Sequence, residues 1–253
     1  MTSDEVAWAR LTAEEIQARS APTTVVIIPV ASVEQHGPHL ATGVDMVLAS
    51  AMAERTARKL QAAGTAALVT PCLWSGLAEH HMPFGGTLTL DLATFSAMVG
   101  GIARSVARHG FRRIALLNGH GGNIDAISSA AIELTRTLGV PVVGVTYWLA
   151  NEDTFGGILE AQHNVMHACE AETSMMMAVQ AESVRADRIA RAVPSRFAPP
   201  APPGFRRSRS FSEMTDTGVI GDPRSATAAK GERLIDAGST RLAEELGRTE
   251  LWA

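Results

Sequence analysis

Short runs rich in Val and Ile alternate along this chain with longer Ala-rich amphipathic segments, and that order restricts the fold more than any other feature. Residues 24–30 read as a buried strand and residues 46–63 as a helix stopped by Gly64. Residues 66–70 form a second strand closed by Pro71, and residues 92–109 a helix opened by Asp91 and ended by Gly110. Residues 113–117 predict a third strand, 123–138 a helix ending at Gly139, and 141–147 a fourth strand. Residues 170–180 and 226–246 predict two further helices. Strands joined through helix-length crossovers run parallel. The expected fold is therefore α/β, a three-layer sandwich with a mostly parallel sheet flanked by helices. At 253 residues, a single domain over 1–253 is expected.

Composition narrows the function. The formal net charge is −4, and basic residues are scattered, apart from the short cluster Arg206, Arg207 and Arg209. That cluster reads as a solvated loop or subunit contact, so no nucleic-acid partner is expected. Cys72 and Cys169 are too few and too far apart for a disulfide framework, which points to the cytoplasm. The N-terminus lacks a basic-then-apolar signal pattern. The longest apolar run, residues 25–30, is too short to span a bilayer. No membrane association is expected. The Pro-rich segment 194–204 (PSRFAPPAPPG) reads as an extended covering loop or oligomer arm.

The chain has eight histidines, and all but His109 fall in connecting segments or at helix starts. His109 reads as a cation at a helix end. In open α/β sheets, sites form beyond the carboxyl ends of the strands. The first strand leads into Ala31-Ser-Val-Glu34-Gln-His36-Gly-Pro-His39, and the third into Asn118-Gly119-His120-Gly121-Gly122-Asn123. Both loops belong to one sheet edge and can converge. Glu34 and His36 are two apart and, in extended chain, project from the same face. Asp45 follows a Gly-containing turn at a helix start, so its carboxylate can return to the same point. A mixed Glu, His and Asp set suits Zn²⁺, Mn²⁺ or Fe²⁺. Two ions about 3.5–4 Å apart would lower the pKa of a water between them and polarise a substrate carbonyl. A glycine loop before a helix can instead cradle phosphate, but this one lacks the Walker lysine and the dinucleotide spacing. Two further clusters are Glu79-His80-His81 and His167-Ala-Cys-Glu170-Ala-Glu172. In the latter, His167 and Glu170 are at i, i+3 on one helical face. The plain alternative for that cluster is an acidic helix N-terminus.

These segments together resemble the creatininase family of amidohydrolases. The stretches that carry the likeness are PVASVEQHGPHL (29–40), EHHMPFGGT (79–87), NGHGGN (118–123) and HACEAETS (167–174), with GVIGDP (218–223) before a long helix. The resemblance implies one α/β domain, a two-metal site, a small-molecule substrate and a homohexamer. It maps the metal ligands onto Glu34, His36, Asp45 and His120, with Asp45 as the bridge. His167 maps onto the histidine that carries a proton to the leaving nitrogen. His80, Asn118, Gly119, Gly121, Gly122 and Glu172 are expected around the substrate. The creatinine-hydrolysing enzyme has a ligand Glu at the position of Gly122. Here Glu170 is expected to replace it, as both ligand and catalytic group, with Glu172 as the competitor. That enzyme also has a Glu-Trp pair where this chain reads Gln162-His163-Asn164. The expected activity is hydrolysis of a small cyclic or formyl amide other than creatinine by an activated water between the ions. A metallopeptidase, a cyclic-ketone hydrolase and a non-catalytic binding protein are the other readings. Trp74, Phe84, Trp148 and Phe155 are candidates for a pocket wall, or else for core and subunit contacts.

Overall fold

A computed structural model describes residues 4–198, 202, 205 and 207–253. Its sheet has four strands, β1 (Val25–Val30), β2 (Ala67–Val69), β3 (Arg113–Asn118) and β4 (Val142–Thr146). They lie in the order β2-β1-β3-β4 and every pairing is parallel. The helices are α1 (Ala13–Ala18), α2 (Val44–Ala62), α3 (Leu92–Arg108), α4 (Ile124–Leu138), α5 (Glu152–Gly156), α6 (Glu170–Val179), α7 (Phe211–Met214) and α8 (Ala228–Gly247). Side chains alternate across β1. Val25 and Ile27 join Leu48 and Met52 of α2, Met175 of α6 and Leu234 of α8 on one face. Val26 and Ile28 join Phe95 of α3 and Ile127 of α4 on the other. The α/β three-layer sandwich expected from the strand–helix alternation is the fold observed.

From β1 the chain crosses to β2 on one side, then returns to place β3 on the other. The strand order reverses between β1 and β3, and the loops leaving their carboxyl ends part there and open a crevice. Pro29 sits in this central strand without disrupting it. Its carbonyl accepts from Leu73 N–H on the β2 side, beyond the last β1–β2 pair at Ile27 and Val69. A residue's N–H and C=O point to the same side of a strand, so the missing donor falls where the β2 ladder has ended.

The three short helices α1, α5 and α7 have too few turns to show a helical period in sequence. One of them matters for the site. Residues 195–198 pair with 214–216 through Phe197–Thr215 and Ala198 N–H to Met214 C=O, and α7 hangs from this pairing. Residues 199–201, 203, 204 and 206, including Arg206 of the basic cluster, lie outside the described residues. No described helix is long and apolar enough to cross a membrane.

Candidate metal centre

Glu34, His36, Asp45 and His120 meet at the β1–β3 crevice. The loop after β1 is tied at Glu34 by its N–H to Thr42 C=O (3.0 Å). Asp45 occupies the first turn of α2, where the helix N-terminus favours a carboxylate. His120 is set by Asn118, whose Oδ1 accepts from His120 N–H (3.0 Å) while its Nδ2 donates to His120 C=O (2.9 Å). Gly119 lets this loop approach α2, since a Cβ there would come within 2.8 Å of Ala49 Cβ. Asn123 joins the loops after β1 and β2 by donating to Ala31 C=O and accepting from Leu77 N–H.

The ring orientations carry the chemistry. His36 Nδ1–H donates to Glu34 C=O (3.1 Å), so Nε2 turns its lone pair toward Asp45 Oδ1 at 3.1 Å. His120 Nε2–H donates to Leu77 C=O (3.1 Å), so Nδ1 faces Glu34 Oε2 at 2.9 Å and Asp45 Oδ2 at 3.1 Å. A lone pair against a carboxylate is repulsive unless a cation, a proton or a metal, lies between them. Glu34 Oε2, His36 Nε2 and Asp45 Oδ2 are buried and accept or donate no hydrogen bond. Such orphaned atoms are costly in a dry site, and a divalent cation would satisfy them together.

His81 and His167 complete the cluster. Glu34, His81 and His120 can point one ligand atom each at a common centre, and so can Glu34, His36 and His167, and His36, Asp45 and Glu172. His81 Nε2 lies 3.2 Å from Glu34 Oε1, and its Nδ1 meets the Gln35 side-chain amide at 3.0 Å. His167 Nε2–H donates to Gln35 C=O (2.8 Å), leaving Nδ1 toward Glu34 Oε1 at 3.6 Å. His167 is held by two backbone bonds to Ile220, and the next residue, Ala168, has φ 52°. This left-handed backbone costs a non-glycine residue about 1–2 kcal/mol. It is braced by Ala168 N–H donating to Glu172 Oε2 at 2.5 Å.

The two candidate carboxylates of α6 part company. Glu172 Oε2 lies 3.9 Å from His36 Nε2 and lines the cavity over the site. Glu170 faces away, contrary to the expectation that it enters the His167 cavity as ligand and catalytic group. Its carboxylate takes Lys230 Nζ at 2.5 Å and the backbone N–H groups of Glu160 and Ala161. His80, Gly119 and Gly121 also line the cavity, whereas Asn118 and Gly122 do not. Of the aromatic candidates, Trp148 lines it, Trp74 is exposed and Phe155 is in the core. His81 was legible only as a member of the Glu79-His80-His81 run. Gln35, hidden between two metal-type residues, carried no signal of its own.

The family model described as creatinine amidohydrolase (creatininase) matches residues 9–246. The chain belongs to the creatininase family. Members are hydrolases acting on C–N bonds, and this chain is one of them. It is 31% identical to the creatinine amidohydrolase of Pseudomonas putida over 92% of this chain and 93% of that one. It is 32% identical to the mycofactocin precursor peptide peptidase of Mycolicibacterium smegmatis, over 83% and 79% of the two chains. A crystal structure of creatinine amidohydrolase matches with a TM-score of 0.83 at 29% identity, covering 97% of this chain and 98% of that one. Other solved creatininases include a Zn–Zn type and a Mn form, each 29% identical, with TM-scores of 0.81 and 0.79.

This creatininase relative has no room for a side chain at Gly122. A Cβ there would overlap Leu77 C=O and the His120 ring. The charge state of the metal-free cluster gives a pH test. Burial alone would lower the pKa of His36, but the charges of the neighbouring carboxylates, Asp45 first and then Glu172 and Glu34, outweigh it and hold the imidazole at about 9. Burial pushes Glu172 up to about 7. Both raised groups favour the metal-free fold while protonated. Stability from His36 is fully present below 6.5 and lost as pH rises through about 9. That from Glu172 is present below 4.5 and lost as pH rises through about 7. Metal must displace these protons, so its affinity rises over the same window. The expected result is a thermal-shift gap between metal-loaded and metal-free protein that widens from pH 6.5 to 9, by on the order of 2–3 kcal/mol. Calorimetry in buffers of different ionisation enthalpy should show proton release on loading. A gap that narrows with pH would contradict this assignment of charge.

Proposed function

We propose that this chain is a two-metal amidohydrolase that breaks the C–N bond of a small cyclic or formyl amide other than creatinine. The observation that carries this reading is the pair of imidazole lone pairs, His36 Nε2 and His120 Nδ1, turned onto the carboxylates of Asp45 and Glu34. Glu34, Asp45 and His120 would hold one ion, and His36, Asp45 and Glu172 the other. Zn²⁺, Mn²⁺ and Fe²⁺ all suit this donor set, and the Zn–Zn and Mn creatininases support it. When bound, such ions polarise the amide carbonyl and make water acidic enough to attack near neutral pH.

The protein supplies the rest. Burial keeps His167 well below the usual imidazole range, so the ring is neutral and its Nδ1 lone pair can take the proton that the attacking water gives up. Its Nε2–H, fixed on Gln35 C=O, aims that Nδ1 at Glu34 and the cavity. His167 then delivers the proton to the departing nitrogen. Glu34 is steadied by His81, whose ring is steadied by Gln35. Phe197, Ala198, Phe211 and Met214 add an apolar side to the cavity beside this cluster.

Gly122 and the Gln162-His163-Asn164 segment support a substrate other than creatinine. The mycofactocin peptidase likeness supports a peptide-trimming reading, while a cavity of only about 340 Å³ favours a small molecule. The test is metal analysis of protein purified without chelator, followed by a screen of cyclic, formyl and short peptide amides. About two equivalents of transition metal are expected, with turnover that Glu34→Gln removes. Less than one equivalent, or near-normal turnover in the Gln variant, would overturn the reading.

A further inference from the structure

The chemistry of the cavity wall narrows the substrate. The charged and imidazole groups that line the cavity among the described residues are Glu34, Asp45, Glu172, His80, His81, His120 and His167, the groups of the centre itself and its rim. No described Lys or Arg lines it, and Asn164 is a neutral neighbour. The remaining wall is apolar and comes from several separate parts of the chain. Ile124 starts α4, Trp148 follows β4, Met166 precedes His167, and Phe197, Phe211 and Met214 form the roof. A substrate carboxylate lying against this wall would lose its hydration with no described Lys or Arg to replace it, which is costly. An apolar group there would instead leave water for a matched surface.

Phe211 is the fixed part of the roof. It is buried, and its ring centroid lies 3.9 Å from that of His81 and 4.8 Å from that of His167. The turn that carries it is closed by a capping box, with Ser210 accepting from the helix backbone and Ser210 N–H donating to Glu213 Oε2 at 2.8 Å. Thr215 N–H returns to Phe211 C=O at 2.8 Å. The ring therefore stands beside the histidine that serves the departing nitrogen, and a substituent next to the scissile bond must pack against it.

We propose that the site takes an uncharged amide whose apolar, ring-sized substituent packs against Phe211, and that it discriminates against a substrate bearing a carboxylate there. This rests on the two-metal reading above and adds the substrate's chemical class. Hydroxamic acids test it by binding alone, because all of them share one metal-binding head. Titration of the metal-loaded protein with acetohydroxamate, benzohydroxamate and 4-carboxybenzohydroxamate should rank the plain ring about 10- to 100-fold above the methyl compound. The added carboxylate should erase most of that gain. Phe211→Ala should lower benzohydroxamate affinity toward that of acetohydroxamate, and Phe211→Leu should retain most of the preference.

Equal or tighter binding of the carboxylated ring would overturn the proposal, as would a ring preference that Phe211→Ala does not reduce. Loss of metal by the wild-type protein would overturn this inference and the two-metal reading together. The expected ranking without turnover of any screened amide would overturn the hydrolytic reading and leave the wall's selectivity standing.

Discussion

Asp45→Asn should lower turnover by at least about 10³-fold and reduce bound metal from the proposed two equivalents to one or none, with the fold retained. The two oxygens of Asp45 face two different imidazoles, Oδ1 toward His36 and Oδ2 toward His120, each at 3.1 Å. No other described carboxylate lies within 4 Å of both rings. Asparagine keeps the volume but replaces one oxygen by an NH₂ group that cannot ligate a cation. Burial would raise the Asp45 pKa, yet His36 and His120 outweigh it and hold the carboxyl well below its usual range. It is therefore ionised wherever the protein is folded near neutral pH. Metal content by atomic spectrometry, far-UV circular dichroism and amide turnover together check the prediction. A variant that loads two ions normally would remove Asp45 from the centre.

The second large effect separates two carboxylates that differ by two positions on one helix. Glu172→Gln should cost one metal equivalent and most of the turnover. It should also leave the metal-free protein no less stable above pH 7, because burial pushes Glu172 up to about 7 and ionising it there is unfavourable. Glu170→Gln should keep both ions. Its carboxylate is fully buried on Lys230 Nζ at 2.5 Å, and the Lys230 side chain is only 8% exposed. Removing one partner of a buried pair costs about 3–5 kcal/mol. Lys230 also reaches the exposed Glu160 at 3.1 Å, so the lower end is expected. A loss of about 3 kcal/mol corresponds to a Tm drop of about 6–12 °C in a chain of this size. Metal loss in Glu170→Gln with an unchanged Tm would reverse the two roles.

Lys230 and Glu170 also explain how the fold supports the cavity. The same carboxylate accepts the backbone N–H groups of Glu160 and Ala161, which begin the segment leading to Asn164, Val165 and Met166 on the cavity wall. A buried ion pair between α6 and α8 thus anchors a wall segment without touching the centre.

The strand–helix alternation was enough to anticipate the parallel sheet, and the observed elements end within about two residues of the expected ones. Strand periodicity and crossover length are local properties, and a parallel sheet follows from them. Once the sheet is parallel, residues just after β1 and β3 must share an edge. Glu34, His36 and His120 were therefore legible as neighbours before any coordinates, and Asp45 followed from its place at the start of α2. What could not be read was the rotation of α6 about its axis. Successive helical residues turn by about 100°, so Glu170 and Glu172 point about 200° apart. Only the packing of α6 against α2 and α8 decides which one faces His36.

Phe211 belongs to the same class of late decisions. Its helix has four residues and no period, and its position over His81 depends on residues 195–198 pairing with 214–216. By itself the sequence determined a parallel α/β sheet with metal-type ligands on one edge, because chain neighbours and strand direction settle that much. The identity of the carboxylate that joins the centre, and the ring that roofs it, were decided only by the tertiary structure, because each depends on which face an element turns inward once long-range packing is complete.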